Sequence, residues 1–360
     1  MADYAEIYNR LTNEFFQEFL EKHEGENIVF SPFSILSLLA LGANSTSGAT
    51  RDEILKAVSE GLGIEDLNAL VAELQGVLTE GKGFNSSSAA IARASLKNTI
   101  KPGYEEKINE ILGASLISSE NIVDDVNAWV SEKTDGMIKE IADDSMANML
   151  ASLINAVIFD SPWLKQHDED DIGEGEFTNA DGSVSEVTTL SRSEQGYIEN
   201  EFFTGFEKPY QNGYSFVGLL PKKKKSKSFI KRAVAELDFS KLLDSAEGGE
   251  VFVEMPEFTF EFQENLNEVC KKFGIKELFE NNADFSEMTT SNIKVDSIIH
   301  KARIELDRKG TKAAAASMMV CVAGCAPMDF KSVILDRPFV YGIVNHNTGL
   351  PVFVGMVNKL

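Results

Sequence analysis

The sequence predicts an α+β protein, and three observations carry that reading. Helical and strand-like periodicities both occur along the chain. They do not alternate as regular strand–helix–strand units, which excludes a doubly wound parallel sheet. The 360 residues are 43% hydrophobic and 25% charged, a globular balance with length enough for a large core. No internal repeat is visible and no linker is long or biased enough to split the chain, so residues 1–360 read as a single domain.

The elements follow in order. Ile7, Leu11, Phe15 and Leu20, with Phe16 and Phe19, form an apolar stripe that predicts a first helix. Asn27 to Ser31 reads as a short strand stopped by Pro32, and Phe33 to Leu41 as a buried helix. Gly42 to Gly48 carries turn chemistry. Helix resumes over Thr50 to Val58, where Thr50 and Glu53 have the spacing of a capping box. Val126 to Thr134 is helical, with Gly136 ending or bending it. Leu153 to Phe159 is apolar except for Asn155 and too short for a typical helix, so it predicts a central strand. Val251, Val253 and Met255 alternate, as do Phe258, Phe260 and Phe262. Their parity changes across Pro256, as a bulge or a switch between sheets requires. Ser297 to Leu306 is strand-like, and Phe339 to Val344 and Val352 to Val357 are two buried strands around the turn Asn345 to Gly349.

The least decided segment is Gly310-Thr311-Lys312-Ala313-Ala314-Ala315-Ala316-Ser317. Alanine runs favour helix, yet a strand-like segment precedes this one, and Met318 to Pro327, ten residues without a charge, follows it. Small side chains enter a strand, a helix or a loop at little steric cost, so the segment is permissive.

The formal net charge of −23 argues against nucleic-acid and anionic-membrane partners, because both repel an acidic surface. No run of 18 apolar residues exists, so no membrane span is expected. Met1 to Glu6 shows no basic segment followed by an apolar one, and no signal peptide is expected in this chain. An extracellular location is expected if a leader has been removed, and a cytoplasmic one otherwise. Cys270, Cys321 and Cys325 are too few for a disulfide framework.

No enzyme constellation stands out. The four histidines are His23, His167, His300 and His346, and there is no nucleophile elbow, zinc-protease helix or phosphate-cradling glycine loop. Neither Cys321 nor Cys325 sits in a helix-start setting that would activate a thiol. His167-Asp168-Glu169-Asp170-Asp171 has consecutive carboxylates that cannot converge on one ion, and reads as a solvated acidic loop. Lys222 to Lys227 would suit a sulfated polysaccharide, but a plain solvated loop is the default reading. His300 in an apolar strand reads as a hydrogen-bonded core histidine. No metal site or cofactor is expected.

Several segments, in shared order and spacing, resemble the serpin family along essentially the whole chain. They are Asn27 to Ile35, Asn127 to Ile141, Asn155 to Phe159 with Trp163, and Phe273-Gly274-Ile275 with Ala283 to Ser286. Ile299 to Ala302, Gly310 to Ser317, Arg337 to Phe339 and Phe353 to Gly355 complete the set. The resemblance implies the serpin fold: a large mixed main sheet, two smaller sheets, about eight or nine helices, and an exposed reactive-centre loop. Residues 308–330 would form the hinge and that loop.

The resemblance implies a mechanism without catalytic residues. A target serine protease cleaves the loop and is held as a covalent acyl-enzyme while the freed hinge inserts as a new strand into the main sheet. The chain is expected to act as a monomer. The residues agree with such an insertion. About 14 residues at roughly 3.3 Å each make a strand of about 46 Å. Side chains alternate with period 2, so Thr311, Ala313, Ala315 and Ser317 share one face and Lys312, Ala314 and Ala316 the other. The first face is small and uncharged, whereas a charge there would cost several kcal/mol.

By the same resemblance the hinge glycine is the fifteenth residue before the cleaved bond, which puts that bond at Gly324-Cys325. Val322 and Ala323 precede it as specificity residues, and cleavage after Val322, Ala323 or Cys325 is the alternative. No Lys or Arg lies between Lys312 and Lys331, so trypsin-like targets are disfavoured and elastase-like or subtilisin-like ones favoured. Ser31, Ser34, Asn155 and His300 map to a polar cluster beneath the opening strands, and Trp163 to the point where the loop enters. The family usually has glutamates where this chain has Arg308, Lys309 and Lys312, which puts in doubt any salt bridge at that corner. A non-inhibitory carrier, chaperone or storage role is the alternative reading, and inhibition of cysteine proteases a third.

Overall fold

A computed structural model describes residues 2–59, 61–223, 227–311 and 331–360. The chain begins with α1 (Ala2–Lys22), β1 (Ile28–Phe30), α2 (Pro32–Ser45), α3 (Gly48–Ser59) and α4 (Ile64–Leu78). It continues through β2 (Phe84–Arg93), α5 (Tyr104–Leu112), β3 (Ser115–Ser119), α6 (Ile122–Lys133), β4 (Ala151–Phe159) and β5 (Ser161–Pro162). Next come β6 (Ile172–Thr178), β7 (Val184–Glu199), β8 (Phe203–Pro209), β9 (Tyr214–Pro221), α7 (Lys227–Ala235) and α8 (Phe239–Asp244). The last third holds β10 (Glu247–Pro256), β11 (Phe258–Asn265), α9 (Asn267–Lys272), β12 (Ser297–Asp307), β13 (Gly310–Thr311), β14 (Lys331–Ile334), β15 (Phe339–Asn345) and β16 (Pro351–Val357).

The strands form two sheets. The main sheet has the order β3-β2-β4-β12-β13-β5, with β11 also paired to β12. It is mixed, since β12 runs parallel to β4 and antiparallel to β11. The second path runs β1-β16-β15-β9-β8-β7-β10-β14, with β6 on β7. The two smaller sheets implied by the resemblance are its two ends, joined where the 16-residue β7 passes from one to the other. Pro256 and Glu257 mark a switch between sheets: β10 lies in the second path and β11 in the main sheet. The parity change at Pro256 therefore reflects a change of sheet.

Two local expectations are corrected. Gly42 to Ser45 is helix, because α2 runs on to Ser45 and is buried throughout. Asn44 and Ser45 satisfy their side chains on the α2 carbonyls of Ala40 and Leu41. Thr50 and Glu53 make no capping box, since α3 already starts at Gly48. The Thr50 hydroxyl instead accepts from Asp284 N–H (2.9 Å), and Glu53 accepts from Lys276 and Glu277 N–H.

One hydrophobic core fills the space between the inner face of the main sheet, the helices α1 to α5 and the second sheet system. A second cluster covers the outer face. There Val126 and Val130 of α6, with Met137, Ile138 and Ile141 after it, pack on Ala89, Ile91, Ile154, Ala156, Ile158 and Ile299 of the sheet. The helix itself ends at Lys133, where Gly136 takes φ +73° and turns the chain into a strap across β2, β4 and β12.

Gly355 in β16 is fixed by its neighbours: a Cβ there would stand 2.2 Å from the Ile28 carbonyl and 2.5 Å from the Tyr341 hydroxyl. Gly355→Ala should destabilise the chain by about 1–3 kcal/mol through overpacking. The measurement is the midpoint of the first unfolding transition in urea, and an unchanged midpoint would contradict this packing.

Candidate functional site

The site is the line along which β4 and β12 meet, together with its upper corner. The two strands pair in parallel from Ser152↔Ser297 to Val157↔Ala302. Past Ala302 the ladder on that side of β12 stops, and among the described residues it resumes only at Leu306↔Thr311 and Asp307↔Gly310. The strand that closes this upper end is β13, which pairs with β5 on its other side through Gly310↔Pro162 and Thr311↔Ser161. The first two hinge residues thus already form a short strand between the continuations of β4 and β12.

Local chemistry builds that wedge. Asp307 accepts N–H from Lys309 (2.7 Å) and Gly310 (3.1 Å), which reverses the chain after β12. A Cβ on Gly310 would stand 2.3 Å from the Ser161 carbonyl oxygen, so only glycine lies this close to β5. Thr311 is buried, with its hydroxyl 2.7 Å from that of Tyr210. Tyr210 stacks on Trp163 with ring centroids 4.3 Å apart, and Trp163 Nε1–H donates to the Asp307 carbonyl (2.9 Å). Trp163 N–H donates to the Lys309 carbonyl and His167 N–H to the Arg308 carbonyl, so the segment after β5 is tied along the hinge turn. Beneath it lies a buried ion pair, Lys208 with Glu194, whose ammonium sits 5.1 Å from the Trp163 ring centre.

The doubt raised by Arg308 is resolved by the geometry of the corner. Arg308 faces carboxylates: its Nε is 3.5 Å from Glu257 and its Nη1 3.4 Å from Glu169. Its backbone N–H also donates to Glu257 (2.9 Å). An ion pair therefore closes the corner, with the cation in the turn just after β12 and the Glu257 anion between β10 and β11.

The polar cluster lies lower on the same line. Asn155 and His300 are directly paired residues of β4 and β12 and are fully buried. Asn155 donates to Ser86 and Ser88 (3.0 Å each), and the Ser86 and Ser34 hydroxyls are 2.9 Å apart. Ser31 caps α2 by accepting from Ser34 N–H, while its own N–H donates to His300 Nε2 (3.3 Å). Burial pushes the His300 imidazole down to about 3, so it is neutral and its Nδ1 carries the proton. That Nδ1–H and the Asn155 Oδ1 have no hydrogen-bond partner among the described residues.

The remaining candidates fall elsewhere. Lys312 to Ser317, Val322, Ala323, Gly324 and Cys325 lie outside the described residues, as does Cys321. Cys270 is buried in the core, and burial raises its thiol to about 12. Of the basic stretch, Lys222 pairs with Glu199, Lys227 pairs with Glu24, and Lys223 lies over the Phe229 ring. His167 is not part of a solvated acidic loop: its side chain is 2% exposed, because the segment holding it is pinned to β12. Sequence reasoning missed Asp307, Tyr210 and Glu257. Asp307 was findable, since Asp-x-x-Gly is a turn signature, whereas Tyr210 and Glu257 reach the corner only through tertiary packing.

The site is thus a two-residue strand wedged at the end of a parallel pair in the main sheet. A family model described as serpin (serine protease inhibitor) matches residues 6–360, and this chain belongs to the serpin family. It is 29% identical to Serpin-ZXA of Oryza sativa subsp. japonica over 93% of this chain and 91% of that protein. It is 26% identical to serine proteinase inhibitor 2 of Vaccinia virus (strain Western Reserve), over 94% of this chain and 96% of that protein. The native state of tengpin, a thermophilic serpin, superposes with a TM-score of 0.88 at 30% identity, covering 98% of this chain and 94% of that one.

The corner ion pair makes a charge-exchange prediction. Arg308→Glu sets a third carboxylate beside Glu257 and Glu169 and should lower stability by about 1 kcal/mol. Adding Glu257→Arg should recover a substantial part of that loss. The urea midpoints of the single and double variants measure it, and additive losses would contradict the pairing.

Proposed function

We propose that this chain is a suicide-substrate inhibitor of serine proteases of elastase-like or subtilisin-like specificity. The observation that carries the reading is the interrupted ladder on β12: among the described residues it is open between Ala302 and Leu306, and it is capped by Gly310 and Thr311 already paired between β12 and β5. Insertion then extends an existing strand and needs no new nucleus.

In the proposed reaction the protease serine attacks the Gly324 carbonyl, the bond to Cys325 breaks, and Cys325 leaves as a new amino terminus. The protease is now esterified to Gly324. Residues from Thr311 onward are free to add to β13 one pair at a time, moving between β4 and β12. Each step parts one parallel pair, from Val157↔Ala302 down to Ser152↔Ser297, and makes two new ladders. A hydrogen bond is worth about 1 kcal/mol net, so exchanging one ladder for two drives the movement downhill. The esterified protease is carried with the strand before water can deacylate it. Thr311 faces inward, and the alternation continues through Ala313 and Ala315. The lack of Lys or Arg from Ala313 to Phe330 supports a target with a small or tolerant primary pocket.

Incubation with pancreatic elastase and with subtilisin tests this. The expected result is an adduct with at least one of them that survives boiling in SDS, and release of the peptide 325–360 by mass spectrometry. Quantitative loop cleavage without an adduct would leave the chain a substrate and overturn the proposal. Ala315→Glu, which places a charge on the inward face, should cut the adduct fraction more than tenfold while cleavage persists.

A further inference from the structure

His167 stands out from the rest of the corner. Its side chain is 2% exposed, and neither ring nitrogen has a hydrogen-bond partner among the described residues. Buried polar groups are nearly always satisfied, and a bare imidazole at the point where the sheet must open calls for a physical account. The charged groups around it are Lys208 on β8, Arg192 and Glu194 on β7, and Asp171 in the turn that follows it. Arg308, in the turn after β12, closes the same corner with Glu257 and Glu169. Lys208 is held by Glu194, and Arg192 donates to the Gln166 carbonyl (2.6 Å) and lies 3.4 Å from Asp171. The Asp171 carboxylate is 3.8 Å from Nδ1, beyond hydrogen-bond distance. A proton on His167 would therefore be buried beside Lys208 and Arg192 without an acceptor at hydrogen-bond distance among the described residues.

We propose that neutral His167 is a latch on the corner, and that acid releases it by favouring the arrangement in which the segment from Trp163 to His167 lifts off β12. Among the described residues the segment is tied to the hinge turn by the N–H groups of Trp163 and His167, which donate to Lys309 and Arg308, and by the Trp163 indole on Asp307. Leu164 N–H on Pro209, Lys208 on the Lys165 carbonyl, Gln211 on the Trp163 carbonyl and Arg192 on the Gln166 carbonyl hold it to β7 and β8, so it would part from the hinge turn while staying on that side. Lifting it exposes the ring to water and uncovers the slot that β13 begins to fill.

The direction follows from linkage. Burial, then Lys208, then Arg192 lower the imidazole from 6.5 to about 3 in the closed corner. In the lifted form the ring returns toward its ordinary value. A group whose closed-state value is depressed favours the closed form fully above 6.5, and that advantage fades as pH falls below it. Between pH 7.5 and 5.5 the lifted population should rise about tenfold.

This inference rests on the loop-insertion reading for its purpose, but its test does not. Hydrogen exchange at the Trp163 and His167 amides, corrected for the intrinsic pH dependence, reports lifting in the full chain without any protease. The expected result is a fall in protection of about tenfold from pH 7.5 to 5.5. In His167→Phe the change should be less than about twofold. His300 has the same sign of linkage lower on the line, but it is present in both proteins, so the difference between them isolates His167. Should the phenylalanine variant not fold, His167→Gln gives the same contrast. Wild-type protection that does not fall, or an equal fall in the variant, would overturn the proposal. A chain that lifts its corner in acid yet forms no protease adduct would lose the inhibitory reading and keep this one.

Discussion

The pairing of β4 with β12 is the interaction on which the rest of the structure depends. It joins the two halves of the main sheet. The neighbouring pairs, β2 with β4 and β11 with β12, are antiparallel and run without interruption from Phe84 to Ala92 and from Phe258 to Asn265. The β4–β12 ladder is parallel, which is slightly less stable per residue, and it stops at Val157↔Ala302. At its middle it buries Asn155 against His300 with one acceptor and one donor unmet, each costing about 1–3 kcal/mol. On the proposed reading, this is the line that a further strand would fill.

The parts around the line hold it shut. The strap after α6 packs across the outer face of β2, β4 and β12, and Gln263 of β11 donates to the Ile141 carbonyl within it (3.1 Å). On the inner face Ser31 ties the start of α2 to His300. At the corner, Arg308 with Glu257 and Glu169, the Lys208–Glu194 pair and the Trp163–Tyr210 stack fix the hinge turn. Removing charge from a buried pair is costly because the partner is left unpaired, so Lys208 and Glu194 hold this corner together.

Much of this was legible in the chain. The apolar run around Asn155, the parity change at Pro256 and the C-terminal pair of strands follow from side-chain periodicity alone, because burial in a sheet imposes it residue by residue. The placing of Thr311 inward follows from alternation in the same way. What the sequence hid were features decided between distant segments. Gly42 to Ser45 has turn composition but is helix, because α2 runs on through it and is buried to its last residue. Thr50 and Glu53 have capping spacing but serve the segment at 276–284. Arg308 left any salt bridge at the corner in doubt, because its partner Glu257 is 51 residues away along the chain. His167 looked like surface from its acidic neighbours, and only the bond from its N–H to Arg308 shows why it is buried.

The central claim is that the uncleaved chain is trapped in the form with an open line and that filling the line releases the stored free energy. Thermal unfolding of the chain before and after a single cut in the 312–330 segment tests it most directly. The account predicts that the cut chain, with both fragments retained, unfolds well over 20 °C higher than the intact one, because insertion adds a full strand with ladders on both sides. An unfolding temperature equal to or below that of the intact chain would contradict it.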